Sequence, residues 1–335
     1  MPNTQSSVAT HQMPSKLEGR PQGAPPARGG SEGNPMTKLT KHQLERVGKY
    51  LTGFCIFLVI AVVLSLIVMV SQRGLSTFVI DGINPLDFLT GTTWNPHQPN
   101  ANGDPTVGAL PMIFGSFAVT LFSCLIVIPF AIGSAVYTVE VNPKFGNTFF
   151  RPALELLVGI PSVVYGLIGL TVLVPWIRGF VDGTGYGILA GSLVLAVMVL
   201  PTITSLVIDA LNAVPAAYRQ SSAALGGTRW QNTWHIVLRA ATPGILTAII
   251  LGMARAFGEA LAVQMVIGNA ATIPDSLVSP AATLTSVLTM SMGNETMGTV
   301  YSDVLWSLAL ILLIMTLVFI TIVHIIGSRS AAKHG

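Results

Sequence analysis

Six stretches, near residues 51–70, 111–138, 156–177, 187–208, 243–268 and 304–326, are apolar over about twenty residues or more. That is the length an α-helix needs to cross a hydrocarbon core of ~30 Å. A bilayer offers no water to unpaired backbone groups, and these runs are too long and too evenly apolar for barrel strands. The fold class expected is therefore an all-α polytopic membrane protein with six transmembrane helices. The composition agrees, with 9% charged residues against roughly 25% in a soluble domain.

The distribution of Lys and Arg orients the chain. With the N-terminus inside, fourteen of these residues fall on the cytoplasmic side and only Arg73 and Arg178 on the other. Without the first 35 residues the split is still eleven to two. Both termini are thus expected on the cytoplasmic side of the membrane. The net charge of +3 reflects these anchors and gives no reason to invoke nucleic acid.

Residues 1–42 are expected to form a disordered cytoplasmic tail, rich in Pro, Gly and Ser up to residue 35. Met36 opens a basic amphipathic lead-in and is a candidate alternative start. The transmembrane domain is expected over 43–328, followed by a short cytoplasmic tail, 329–335. Two long loops, 71–110 and 269–303, lie on the outer side, and the Pro, Asn and Gly density of the first argues for turns over regular structure. Trp94 and Trp176 stand near outer boundaries, where indole rings anchor at the headgroups.

Cys55 and Cys124 both fall within spans and form no metal or disulfide pattern. No GxxxxGK[ST] loop, HExxH or paired intramembrane Asp is present. The sequence thus points to no enzyme site, no metal and no cofactor of its own, so energy for any transport must come from a partner.

Five of the six apolar stretches contain no Asp, Glu, Lys or Arg. The fifth contains Arg255 and Glu259, in GMARAFGEALAV. Four residues apart on a helix, they share one face within reach of each other. A charge at such depth costs at least ~2.5 to 3.5 kcal/mol, so the pair is expected to face protein or a water-filled path. One reading is a self-neutralising ion pair that locks neighbouring helices. The other is an anion site, with Arg255 donating two parallel hydrogen bonds.

Phosphate near neutral pH still carries a proton, which a carboxylate at 259 would accept, whereas sulfate would meet repulsion there. Alternatively Glu259 holds Arg255 until substrate competes for it. Ser162 and Tyr165 follow Pro161, where a loosened helix exposes backbone groups, and are weaker candidates for the same path. A kink alone explains them equally well. Pro201 gives the fourth span a similar break, with Thr202, Thr204 and Ser205 placed to re-satisfy freed carbonyls. Asn269 is expected to cap the end of the fifth span, and His324 to be interfacial.

Between the fourth and fifth spans, residues 213–244 place apolar positions at helical spacing on each side of Gly226 and Gly227. A helix, a glycine break and a second helix follow. This stretch resembles the cytoplasmic coupling motif of ABC-importer permeases, Glu-Ala-Ala, then Gly, then Ile-x-Leu-Pro. Gln220, Ser221 and Ser222 stand in the Glu-Ala-Ala positions, Gly226 is the Gly, and Ile236 and Leu238 are followed by Arg239 in place of Pro. GIPSVVYGL (159–167), FLTGTTWNP (88–96) and ARAFGEALAVQMVIGN (254–269) are similar to the PstC-type permeases of bacterial phosphate importers. The resemblance spans about 45–328.

This resemblance implies a type I ABC-importer permease fold, with phosphate as substrate. It implies a second homologous permease subunit, a cytoplasmic ATPase dimer that uses ATP and docks the 213–239 hairpin, and an external phosphate-binding protein. Surrounding lipid completes the partners. Competing readings are a permease for another oxyanion such as sulfate or molybdate, an ion-coupled secondary transporter, and a structural scaffold. The absence of an obvious duplicated half disfavours the secondary transporter, and the scaffold leaves the mid-span charges unexplained.

Overall fold

The computed structural model describes residues 41–99, 105–296 and 298–332; of the expected tails 1–42 and 329–335, residues 1–40 and 333–335 lie outside them, while 41–42 and 329–332 belong to the first and last helices. Eleven helices are named here: α1 (Lys41–Val79), α2 (Pro85–Thr90), α3 (Leu110–Val141), α4 (Pro143–Val158), α5 (Ser162–Arg178), α6 (Ile188–Asn212), α7 (Ala216–Ala224), α8 (Arg229–Phe257), α9 (Leu261–Ile267), α10 (Leu284–Ser291) and α11 (Val300–Ala332). Among the described residues five helices are long and apolar enough to cross a membrane, and six spans result if α4 and α5 count as one. The all-α polytopic fold is as expected.

The described chain separates into the stretch of α1 up to Val59 and a larger body from Ile60 onward. In the larger body α6 is central. Ile203, Val207, Ile208 and Leu211 are fully buried along it, packed among α3, α4, α5, α8 and α9. By contrast the part of α1 from Ile60 to Met69 exposes nearly every side chain, as a lipid-facing helix does. A second core sits around α10, the start of α3 and the start of α11, where Phe88, Met112, Leu284, Leu305 and Leu308 are buried.

The loop expected at 71–110 is more regular than its composition suggests. α1 runs on to Val79, α2 follows, and β1 (Trp94–Pro99) pairs antiparallel with β2 (Pro105–Val107). Trp94 is not a simple headgroup anchor: it is half-buried against Tyr301, ring centroids 6.2 Å apart. Trp176 remains 59% exposed, stacked edge-on with Phe180.

Two of the expected spans are interrupted helices. α4 and α5 meet at 94° across Gly159–Pro161, so the stretch 156–177 is two helical arms and not one continuous helix. Pro161 offers no N–H to continue the first arm and opens the second. The fifth span is interrupted as well, with α8 ending at Phe257 and α9 beginning at Leu261. Pro201, in contrast, is carried inside an unbroken α6.

Candidate functional site

α8 lies directly on α6 because Gly252 has no side chain; a Cβ there would collide with Ile203 Cγ1 and Cδ1. One turn further along α8, this close approach brings Arg255 Nη1 within 2.8 Å of Thr202 Oγ1. A guanidinium has five N–H donors, and this hydroxyl is its sole hydrogen-bond partner among the described residues. Arg255 is half-buried at the very end of its helix.

The expected pairing of Arg255 with Glu259 across one helical turn is not what the structure shows. Gly258 closes α8, its N–H still donating to the Ala254 carbonyl, and the helix stops there. Glu259 is outside both helices. Its Oε1 accepts from the Ala262 N–H at 3.2 Å, and its carbonyl accepts from Thr285 Oγ1 at 3.0 Å. An acceptor side chain ahead of a helix start satisfies one of the orphan donors there. No ion pair joins Arg255 to Glu259 among the described residues, so the self-neutralising pair is absent.

The break therefore separates the two charges and gives each a different neighbour. Glu259 borders a small cavity of about 10 Å³ with Ser116, Thr120, Thr283 and Thr285, room for about one water. Thr283 and Ser286 form a capping box at the start of α10, and Ser116 Oγ accepts from the Leu284 N–H. These bonds fix the Thr285 hydroxyl that holds Glu259's carbonyl. Neither Thr285 nor its role was foreseen.

Tyr165 proves to be engaged. Its hydroxyl donates to the Leu157 carbonyl at 2.9 Å, across the corner between α4 and α5. The same carbonyl accepts from the Ile160 N–H at 3.2 Å, so the tyrosine adds a second bond at the corner and ties the two arms together. Ser162 opens α5 half-buried, and no hydrogen bond of its hydroxyl is seen. Gly166 allows α5 to rest on α9, where a Cβ would stand 2.9 Å from Ala262 Cα. The second arms of both broken spans thus pack together.

Of the other polar groups expected to patch Pro201, Thr202 is taken by Arg255, and the buried Thr204 hydroxyl has no partner among the described residues. Asn269 does cap α9: its Nδ2 donates to the Gln264 carbonyl at 2.9 Å, and Gly268 before it adopts φ +94°. Both face a cleft of about 630 Å³ that Thr184, Tyr186 and Gln264 also line.

The hairpin has the expected helix–glycine–helix form. α7 ends with Gly226 at φ +77°, a left-handed conformation that favours glycine, and Gly227 N–H donates to the Ser222 carbonyl. Thr228 and Gln231 then form a capping box that starts α8. Gln220 and Ser221 are exposed, Ser222 is buried, and Ile236 and Leu238 are half-buried. Leu225, Trp230 and Trp234 form an exposed apolar tip, the two indoles stacked at 5.6 Å. The second arm is not a separate helix, because α8 runs unbroken from Arg229 to Phe257.

Sequence reasoning missed how the hairpin is held. Arg219 donates from Nε and Nη2 to Glu140 Oε1 at 3.1 and 2.9 Å, from Nη2 to the Leu211 carbonyl at 3.0 Å, and from Nη1 to the Val214 carbonyl at 2.8 Å. The signal available in sequence was a lone charge, Glu140, at the end of an otherwise uncharged span.

Residues 127–332 match the model of the family described as binding-protein-dependent transport system inner membrane component. The chain belongs to this family. The permease is similar to the probable ABC transporter permease protein YqgH of Bacillus subtilis, 48% identical, with 86% of this chain and 92% of that protein covered. It is also similar to the phosphate transport system permease protein PstC of Xylella fastidiosa, 32% identical over 85% of this chain and 90% of that protein. Among solved structures, the inward-facing MetNI methionine ABC transporter matches with a TM-score of 0.47 and 21% identity, over 68% of this chain and 94% of that one. The chain is thus a multi-pass membrane permease of the ABC importer class, whose members work with an ATPase and a binding protein.

Proposed function

We propose that this permease carries inorganic phosphate into the cytoplasm, with Arg255 as the principal ligand in the membrane. The observation that carries the reading is a membrane guanidinium bound by one neutral hydroxyl, with no carboxylate paired to it. A cation so placed is costly unless an anion completes it. Phosphate matches its planar fork. The similarity to PstC proteins supports this substrate over other oxyanions.

Glu259 stands two residues past the end of α8 with Oε2 free of hydrogen bonds among the described residues. That oxygen accepts the proton of a phosphate hydroxyl and repels a fully ionised oxyanion. Ser162, at the start of α5, offers a further hydroxyl to the same path, whereas Tyr165 holds the corner in place. The 213–239 hairpin, with Gln220, Ser221, Ser222, Gly226, Ile236 and Leu238, faces the cytoplasmic ATPase dimer, and both termini are cytoplasmic. A second homologous permease subunit and an external phosphate-binding protein complete the assembly.

The test is radiolabelled phosphate uptake into proteoliposomes holding the assembled complex, with and without ATP and competing sulfate. ATP-dependent uptake that sulfate leaves intact is expected. Uptake of sulfate or molybdate instead of phosphate would replace the substrate reading, and uptake without ATP would remove the importer reading.

A further inference from the structure

One side chain connects the hairpin to the membrane helices more firmly than any other contact described. Arg219 is the single charged residue of α7. Its guanidinium gathers acceptors from two other elements: Glu140 at the end of α3, and the carbonyls of Leu211 and Val214 at and just beyond the end of α6. A cation at a helix C-terminus satisfies orphan carbonyls and meets the negative end of the helix dipole. The Glu140 side chain is 12% exposed and that of Arg219 26%, so water screens the pair weakly.

α6 is unbroken from this end to Thr202, the residue that holds Arg255. A push on α7 thus meets a saturated joint, then a continuous helix, then the hydroxyl bound to Arg255. We propose that Arg219 is a positioning residue that makes α7 and α6 move as one body, so that displacement of the hairpin acts on the Thr202–Arg255 contact. The inference rests on the reading of 213–239 as the ATPase-facing hairpin.

The test uses the assembled transporter, with this chain carrying Cys55→Ala and Cys124→Ala and spin labels at Ala224→Cys and Val197→Cys, two exposed positions on α7 and α6. Label separations are measured by pulsed electron resonance, without nucleotide and after trapping with ATP and vanadate. With Arg219 present, one narrow distance is expected in both states. Arg219→Ala is expected to broaden or shift it in the trapped state, and to lower ATP-driven uptake by roughly tenfold, in keeping with the loss of charge-assisted hydrogen bonds. Basal ATP hydrolysis is expected to survive.

Arg219→Lys keeps the charge but loses the planar fork that spreads four hydrogen bonds over Glu140, Leu211 and Val214, and should fall between. An unchanged distance distribution in Arg219→Ala would overturn the proposal. So would loss of assembly with the ATPase in both variants, since the contact would then hold the hairpin's shape and transmit nothing. The distance measurement needs no phosphate, so a wrong substrate would show as absent uptake in the parent and leave this test standing.

Discussion

Arg255 and Arg219 carry the same side chain into two different regions of the larger body. At Arg219 a carboxylate and two carbonyls converge on the guanidinium; at Arg255 a single hydroxyl does. The first arginine has most of its donors committed within the protein and behaves as a fastener. The second keeps donors in reserve, in a place where water is scarce. Counting acceptors around each cation separates architecture from a binding group more sharply than position in the sequence does.

The largest test of this contrast is Arg255→Lys. It keeps the charge and loses the planar fork, so phosphate uptake should fall by about 100-fold, as for loss of two charge-assisted bonds. Thermal stability should be nearly unchanged, since Arg255 holds little else. A variant with uptake near the parent's would make Arg255 architectural too. Next in size, Glu259→Gln should weaken discrimination against sulfate by about tenfold. Competition assays read it, and an unaltered phosphate-to-sulfate preference with a slower rate would reduce Glu259 to its capping role.

Thr202→Val removes the hydroxyl that occupies Arg255, so phosphate no longer competes with it. Apparent affinity should tighten by about two- to threefold, the scale of one neutral hydrogen bond. Titrated uptake shows the change; weaker affinity would mean Thr202 orients Arg255 for substrate.

The smallest effect concerns Asp81, just past α1. Burial, and then the charge of Asp303, raise its carboxyl above the ordinary 3.8, and its Oδ2 is buried without a partner among the described residues. The folded state therefore favours the protonated form. That stabilisation is complete below the ordinary value and is lost as pH rises through the raised one. Asp81→Asn should flatten this decline and raise the melting temperature slightly near neutral pH. Melting curves across acid to neutral pH decide it.

Much of this was legible in the sequence, and the physical reason is the bilayer. Apolar length alone placed the spans, Gly226 announced a left-handed turn, and Arg255 stood out against uncharged neighbours. The break after Phe257 was not legible. Gly258, Glu259 and Ala260 do not forbid a helix, and the interruption comes with partners distant in sequence, such as the Thr285 hydroxyl on Glu259's carbonyl. Arg219 and Glu140 are 79 positions apart, so no local pattern joins them. The hydroxyl contact of Tyr165 was not legible either, because its partner, the Leu157 carbonyl, lies across the 94° corner.

The unbroken run of α8 from Arg229 to Phe257 has one more consequence. At 1.5 Å per residue it is a rod of about 43 Å, with stacked indoles near one end and Arg255 in the last turn of the other. A coupling between two ends is reciprocal in free energy. If nucleotide at the partner ATPase changes how Arg255 holds an anion, the anion must change nucleotide affinity by the same factor, so an occupied permease announces its cargo to the motor before any cargo has crossed.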